Sequence, residues 1–279
     1  MKVTKSFLKW AGGKSQSINF LDWYIHNRED FSPTITGRFI EPFVGSGVVF
    51  MNMDFKEYII SDVNKDLTNI YNLLKENGET FIQECKLLFK KENNIEEVYY
   101  SIRKQFNETK DIVKRASFFV YLNRHGFNGL CRYNKSGKFN VPFGRYTNVN
   151  FPENAFKTVI KKLNNVNIYN QSFEKTIALA NQDDVIYADP PYVPMSDTAA
   201  FTDYSAAGFN IEQQKLLVKL AEESECRFLI SNHDNEVTRE LYKNADRIET
   251  KEVSRFISAD GDSRKKVTEL LAIYNRSIK

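Results

Sequence analysis

Phe39-Ile40-Glu41-Pro42-Phe43-Val44-Gly45-Ser46-Gly47 is the stretch on which the fold turns. An apolar-rich run over residues 38–43, bounded by Gly37 and Gly45, reads as a strand that feeds a tight Gly-x-Gly turn at a helix start. Helical spacing follows over 45–53, a β-prone run over 58–61 ends at Asp62, and helical spacing returns over 65–76. Strand, helix, strand, helix is the grammar of a parallel sheet. Glycines at such a turn let a ligand approach the backbone, and open α/β sheets bind ligands at the carboxyl ends of their strands. Position 50, where a dinucleotide fingerprint needs its third glycine, holds Phe50, which disfavours NAD or FAD. Asp62 stands where an acid would accept the two hydroxyls of a ribose, or else caps the helix that follows.

Outward from this stretch the alternation resumes late in the chain. Strands are expected over 166–170, 184–188 and 227–231, helices over 173–180 and 211–223, and a closing hairpin from 248–254 and 267–274 around the loop 258–265. Between residues 73 and 151 the pattern is different. Apolar residues recur at three- and four-residue intervals over 81–91, 95–106 and 112–124. His125-Gly126-Phe127-Asn128-Gly129 then reads as a turn-rich loop, and 130–134 and 138–143 as two short strands joined across Ser136-Gly137. The expected architecture is an α/β sheet built from residues 1–72 and 152–279, split by a helical insertion at 73–151 that ends in a β-hairpin.

With 279 residues and 32.5 kDa, folding can bury roughly three quarters of the unfolded surface, so no staple is required. Hydrophobic residues at 42% and charged residues at 27% exclude disordered and collagen-like classes. No apolar run approaches the ~20 residues of a membrane helix, and residues 1–9 carry lysines without the apolar core of a secretory signal. Cys85, Cys131 and Cys226, odd in number and far apart, suit a reducing cytosol and no disulfide framework or zinc site. A cytoplasmic location is therefore expected. The overall charge of +3 hides an uneven distribution: residues 102–147 hold ten Lys/Arg against two acids, a local +8 in a chain that is otherwise −5. Such a segment is either an anion-facing surface or a solvated helix face.

Asp189-Pro190-Pro191-Tyr192 closes the expected strand 184–188. A residue before proline is pushed to extended geometry and prolines donate no hydrogen bond, so the Asp189 carboxylate is held at the carboxyl edge of the sheet beside free carbonyls. One carboxylate and one carbonyl can accept two amine hydrogens while the Tyr192 ring stacks on a planar base. The alternative is a plain strand-ending turn, which has no use for the aromatic.

The chain resembles Dam-type DNA adenine-N6 methyltransferases. The resemblance is carried by Phe7-Leu8-Lys9-Trp10-Ala11-Gly12-Gly13-Lys14, Glu41 to Gly47, Ser61-Asp62-Val63-Asn64, Asn128-Gly129-Leu130-Cys131-Arg132-Tyr133-Asn134, Asn140-Val141-Pro142-Phe143-Gly144-Arg145-Tyr146, Asp189 to Tyr192 and Ser231-Asn232-His233-Asp234. These segments fall in the family's order over nearly the whole chain. They imply a Rossmann-like methyltransferase sheet, S-adenosylmethionine as methyl donor, and double-stranded DNA containing GATC as substrate, bound by a monomer with no metal.

By the same resemblance Trp10, Ala11, Gly12 and Lys14 help close the donor pocket, Glu41, Pro42, Phe43, Gly45, Ser46 and Gly47 lie beneath the methionine part, and Asp62 is the ribose acid. Asp189 also borders the donor. Phe173 matches an adenine contact loosely and is equally readable as a core aromatic. Asp189, Pro190 and Tyr192 would grip a flipped adenine, whose amine is a poor nucleophile until its hydrogens are accepted. Arg132 would read a guanine, Leu130 and Pro142 a thymine methyl, and Lys9 the first guanine. Arg124, Asn128, Arg145 and Tyr146 would contact DNA. Phe127, where relatives often carry tyrosine, would fill the gap left by the flipped base or else anchor the loop from within. His125 also stands where tyrosine is common. His26, His125 and His233 read as structural or near DNA, and Arg264-Lys265-Lys266 as a phosphate contact or a solvated hairpin tip. Two rivals remain on sequence alone: a protein-amide methyltransferase, which typically has Asn before the prolines, and a catalytically silent DNA-binding relative.

Overall fold

A computed structural model describes residues 3–10, 12–26, 37–193, 209–256 and 264–275. Its elements in chain order are α1 (Ile18–Ile25), β1 (Phe39–Glu41), α2 (Val48–Asn52), β2 (Tyr58–Ser61), α3 (Lys65–Leu88), α4 (Glu96–Glu108), α5 (Ile112–His125), α6 (Glu153–Leu163), β3 (Val166–Tyr169), α7 (Phe173–Ile177), β4 (Val185–Ala188), α8 (Ile211–Glu222), β5 (Arg227–His233), α9 (Glu236–Leu241), β6 (Arg247–Phe256) and β7 (Arg264–Tyr274). The strands form one sheet in the order β3-β2-β1-β4-β5-β7-β6. The first five run parallel, and β7 enters antiparallel between β5 and β6.

Residues that alternate along a strand serve opposite faces. Phe39, Tyr58, Ile60, Val185, Tyr187 and Leu229 face a core shared with α1, α2, α3, α5 and α6. Ile40, Ile59, Ile186, Ala188, Phe228 and Ile230 face a second core closed by α7, α8 and Tyr242. Both faces are covered, which is why β1, β2 and β4 read as unbroken apolar runs rather than alternating ones. Order reverses between β1 and β4, whose carboxyl ends carry the Gly-x-Gly turn and Asp189 side by side.

The sheet matches the expected alternation, and the hairpin β6–β7 is longer than expected; its loop, 257–263, lies outside the described residues. Three points differ. The expected helices 65–76 and 81–91 are one element, α3, bent at Asn77, where the backbone leaves helical geometry (φ −142°). Gly78 follows because a Cβ there would lie 2.6 Å from the Ile160 side chain. Short amphipathic helices α1, α6 and α9 were not anticipated; α9 is capped reciprocally by Asn235 and Thr238. The two short strands expected after α5 reduce to the bridge Tyr133–Phe139, flanked by Asn134 N donating to Lys138 O (2.9 Å) and Asn140 N to Arg132 O (3.0 Å), while Gly126 before them bridges Phe143.

Candidate active site and nucleic-acid interface

The Gly-x-Gly turn is built by its own glycines. Gly45 and Gly47 both have positive φ (+47° and +69°), and a Cβ on Gly47 would meet the Phe50 ring at 2.4 Å and the Tyr71 hydroxyl at 2.5 Å. The turn is fastened from three sides: Asp62 Oδ2 accepts from Gly45 N (3.1 Å), the Tyr71 hydroxyl donates to Gly45 O (3.0 Å), and the Ser6 hydroxyl donates to Ser46 O (2.7 Å). Asp62 does not cap α3. That task falls to Asn64, whose side chain accepts from Asp66 N (3.0 Å), while Asp62 Oδ1 accepts from Asn64 N (2.9 Å). Burial raises the Asp62 carboxyl above its ordinary range, and raises Glu41 further; Glu41 is fully enclosed, with Oε2 accepting from Phe50 N (3.0 Å).

A cavity of about 900 Å³ opens above this turn. Trp10, Gly12, Lys14, Glu41, Phe43, Gly45, Ser46, Asp62, Phe173, Asp189, Pro190 and Tyr192 line it, as do Leu130 and Arg132 at its far side. Phe43 and Phe173 stack with centroids 5.3 Å apart, and Phe209 meets both edge-on, forming an aromatic wall. Pro42 and Gly47 shape the turn beneath without lining the space, and Ala11 lies outside the described residues.

Lys14, 4% exposed, directs its ammonium to Asp189 Oδ2 (2.9 Å) and Gly12 O (2.7 Å), 4.7 Å from the centroid of the Tyr192 ring. Asp189 Oδ1 is buried and lacks a hydrogen bond of normal geometry among the described residues. Burial, then the Asp189 carboxylate, pushes the Tyr192 phenol well above its ordinary range. The Asp-Pro-Pro-Tyr turn is clamped from behind by Asn232 and His233, which belong to a segment that carries the resemblance, and by Gln214 and Tyr242, which no motif marks. Gln214 Nε2 donates to Pro191 O (2.7 Å), Asn232 Oδ1 accepts from Val193 N (3.1 Å), Asn232 Nδ2 donates to the Tyr242 hydroxyl (2.9 Å), and the His233 ring meets Tyr192 edge-on at 4.8 Å.

Lys9, Arg124, Asn128 and Tyr146 gather beside the cavity. Lys9 Nζ donates to Arg124 O (3.0 Å) and sits 3.7 Å from the Tyr146 ring centroid, while Asn128 N donates to the Tyr146 hydroxyl (2.9 Å). Burial and then the neighbouring Arg124 charge lower Lys9 to about 8; burial also lowers Arg124, whose Nε is enclosed without an acceptor. Arg132 is exposed, its Nε and Nη2 anchored on Asn140 Oδ1 (2.8 Å) and O (3.1 Å). Pro142 and Arg145 are exposed at the return of the loop, and Phe127 is 42% exposed, which is not the burial of an inward anchor. His125 is instead the buried one: its Nδ1 lies 2.9 Å from Tyr121 O, its ring stacks on Tyr121 at 3.9 Å, and burial lowers it to about 4.

Among the described residues no helix is long and apolar enough to cross a membrane. The family model of D12 class N6 adenine-specific DNA methyltransferases matches residues 10–256. Curated relatives named DNA adenine methylase are 44% identical in Escherichia coli K12, over 100% of this chain and 98% of the relative, and 45% identical in Vibrio cholerae O395, over 98% and 97%. The relative from Haemophilus influenzae Rd is 41% identical over 97% of this chain and 93% of its own length. These matches set aside the protein-amide alternative. The chain belongs to the D12 class of N6 adenine-specific DNA methyltransferases, enzymes that move a methyl group from a donor to DNA adenine.

Proposed function

We propose that the protein methylates the N6 amine of an adenine flipped out of double-stranded DNA, within GATC, with S-adenosylmethionine as donor, acting as a monomer in the cytoplasm where bacterial DNA lies. One observation carries the reading: the Asp189 carboxylate, fixed through one oxygen by Lys14, lines a cavity shared with the Gly-x-Gly turn and Asp62. The residues fit the donor. About 900 Å³ suits a nucleoside-sized ligand, Asp62 has acceptor lone pairs left after its two backbone bonds, and the Phe43–Phe173 wall suits a purine. Trp10, Gly12 and Lys14 would close that pocket, with Glu41, Gly45 and Ser46 at its floor.

When bound, S-adenosylmethionine supplies a methyl group on a positively charged sulfur, open to attack by an amine lone pair. The chain's own part is to make that lone pair available. The Asp189 carboxylate and the Pro190 carbonyl accept the two amine hydrogens, drawing the lone pair out of the ring, and Tyr192 stacks on the base. Lys14 holds Asp189 in place, and the clamp of Gln214 and Asn232 fixes the turn from behind. On the DNA side Arg132 keeps an outer edge of its guanidinium for a guanine once Asn140 has fixed the other. Lys9, desolvated over Tyr146, suits a base acceptor, and Arg124, whose Nη2 donates to Asn150 O (3.4 Å), suits a phosphate. Phe127 projects as a wedge. Leu130, Pro142, Asn128, Arg145 and Tyr146 complete the interface. Residues 73–151 would be the reading part and 1–72 with 152–279 the catalytic part, with α3, bent at Asn77, leading from one to the other.

The test is incubation with labelled donor and short duplexes that contain or lack GATC, followed by digestion. Label in N6-methyladenine from GATC duplexes alone is expected. Equal label on both duplexes overturns the sequence assignment, and tight duplex binding without label supports the silent DNA-binding relative.

A further inference from the structure

Asp66, in the first turn of α3, is 8% exposed and sits four residues beyond Asp62. Its carboxylate is gripped by Arg115 through Nε and Nη2 (2.5 and 2.9 Å), and Oδ2 also accepts from the Tyr133 hydroxyl (2.7 Å). Arg115 is itself fixed, with Nη1 donating to Phe106 O (2.7 Å) and the guanidinium lying 4.1 Å from the Phe106 ring centroid. Asn64 makes a second link: its N–H donates to Asp62 Oδ1, its side chain caps α3, and its Nδ2 donates to Cys131 Sγ (3.5 Å). Cys131 and Tyr133 flank Arg132. Both neighbours of the proposed base reader are thus tied to the turn that positions the proposed ribose acid, and Asp62, Asn64, Asp66, Cys131, Arg132 and Tyr133 line the same cavity. The hairpin carrying Arg132 is short, paired by Asn140 N to Arg132 O (3.0 Å) and Asn134 N to Lys138 O (2.9 Å), and these side-chain ties fix where it stands against α3.

We propose that Asp66, Arg115 and Tyr133 are positioning residues that couple the donor pocket to base reading, so that the donor and the cognate duplex each tighten the binding of the other. The inference rests on Asp62 facing the donor and Arg132 facing a guanine. An ordered Asp62 fixes Asn64 and the start of α3, and these fix Tyr133, Cys131 and the guanidinium between them. A charged, buried three-way contact suits this task because removing the phenol oxygen alone changes its geometry without creating a cavity.

The experiment measures duplex affinity at fixed salt, with and without saturating S-adenosylhomocysteine as the unreactive donor probe. In the natural protein the probe should tighten a GATC duplex on the order of ten-fold and a duplex with one changed pair by less than about two-fold, and GATC must tighten the probe by the same factor. In Tyr133→Phe the GATC gain should fall below about three-fold, while probe-free affinity for the changed duplex and the melting temperature stay near those of the natural protein. Asp66→Asn should lose the gain as well, which serves if Tyr133→Phe does not fold. An undiminished gain in both variants, or no gain in the natural protein, overturns the proposal. Arg132→Ala separates the two levels: if it keeps its GATC preference without the probe, the reading of Arg132 fails, whatever Tyr133→Phe shows.

Discussion

Asp189 and Lys14 lie 175 positions apart in sequence and meet at 2.9 Å, so the pairing at the centre of the site was not legible from either motif alone. Asp189 itself was legible, because two prolines after a strand leave few other uses for an acid. Asp189→Ala should reduce turnover by at least about 10²- to 10³-fold, the loss typical of removing a group that acts on developing charge. Binding of S-adenosylhomocysteine should be retained; near-normal single-turnover rates would refute the assignment. His125 carries a different prediction. Its ring stays neutral down to about pH 4 in the folded protein, whereas an unfolded histidine protonates near 6.5. The unfolded chain binds the extra proton in that window, so the stability contributed above pH 6.5 is lost as pH falls toward 4, by about 3 kcal/mol at full extent. Urea unfolding at pH 7 and pH 5 should show a smaller drop for His125→Gln than for the natural protein, and equal drops would remove His125 from the account.

At the scale of elements, the strands were readable because residues buried on both faces leave continuous apolar runs, as in Val185–Ala188. Helices α1 and α6 were less so, being short and set among polar residues, and the bend at Asn77 split one helix into two apparent ones. The turn after α5 shows how an element serves the interface. Gly129 has φ +62°, and a Cβ there would lie 2.2 Å from Lys9 Cβ, so the turn packs directly on the segment that carries Lys9. Asn123 ties the two together, accepting from Lys9 N (2.8 Å) and donating to Lys9 O (2.7 Å). Gly129→Ala should cost about 1–2 kcal/mol for the left-handed backbone alone, with a further loss from the clash. Thermal melting should fall by several degrees, and duplex affinity should drop more than Lys9→Met accounts for. A variant as stable and as tight-binding as the natural protein would contradict this packing.

Across the whole molecule the charge count proved coarser than the structure. Of the ten cations between residues 102 and 147, Arg115 is paired with Asp66 and Arg145 with Glu96 (3.5 Å), both acids outside that stretch, so the local +8 overstates the field there. Binding to any duplex should still weaken steeply with salt, and Lys or Arg replacements at phosphate contacts should each flatten the log-log slope by about 0.9. Arg132→Ala should leave that slope nearly unchanged while relaxing discrimination at one base pair by about 1–3 kcal/mol. Uniform weakening on every duplex, with a flatter slope, would move Arg132 to the phosphate contacts.

The segment around Gln16 binds the far end of the chain: Gln16 Nε2 donates to Ser254 O (3.2 Å), Ser254 N to Gln16 Oε1 (3.3 Å), and Lys251 Nζ to Gln16 O (2.6 Å), across more than 230 residues. These contacts join residues far apart in sequence, so closing them carries a large loop-closure cost, and Lys14 stands two residues before Gln16. The placement of the Lys14 ammonium against Asp189 thus draws on a long-range closure of the chain as well as on its own local turn.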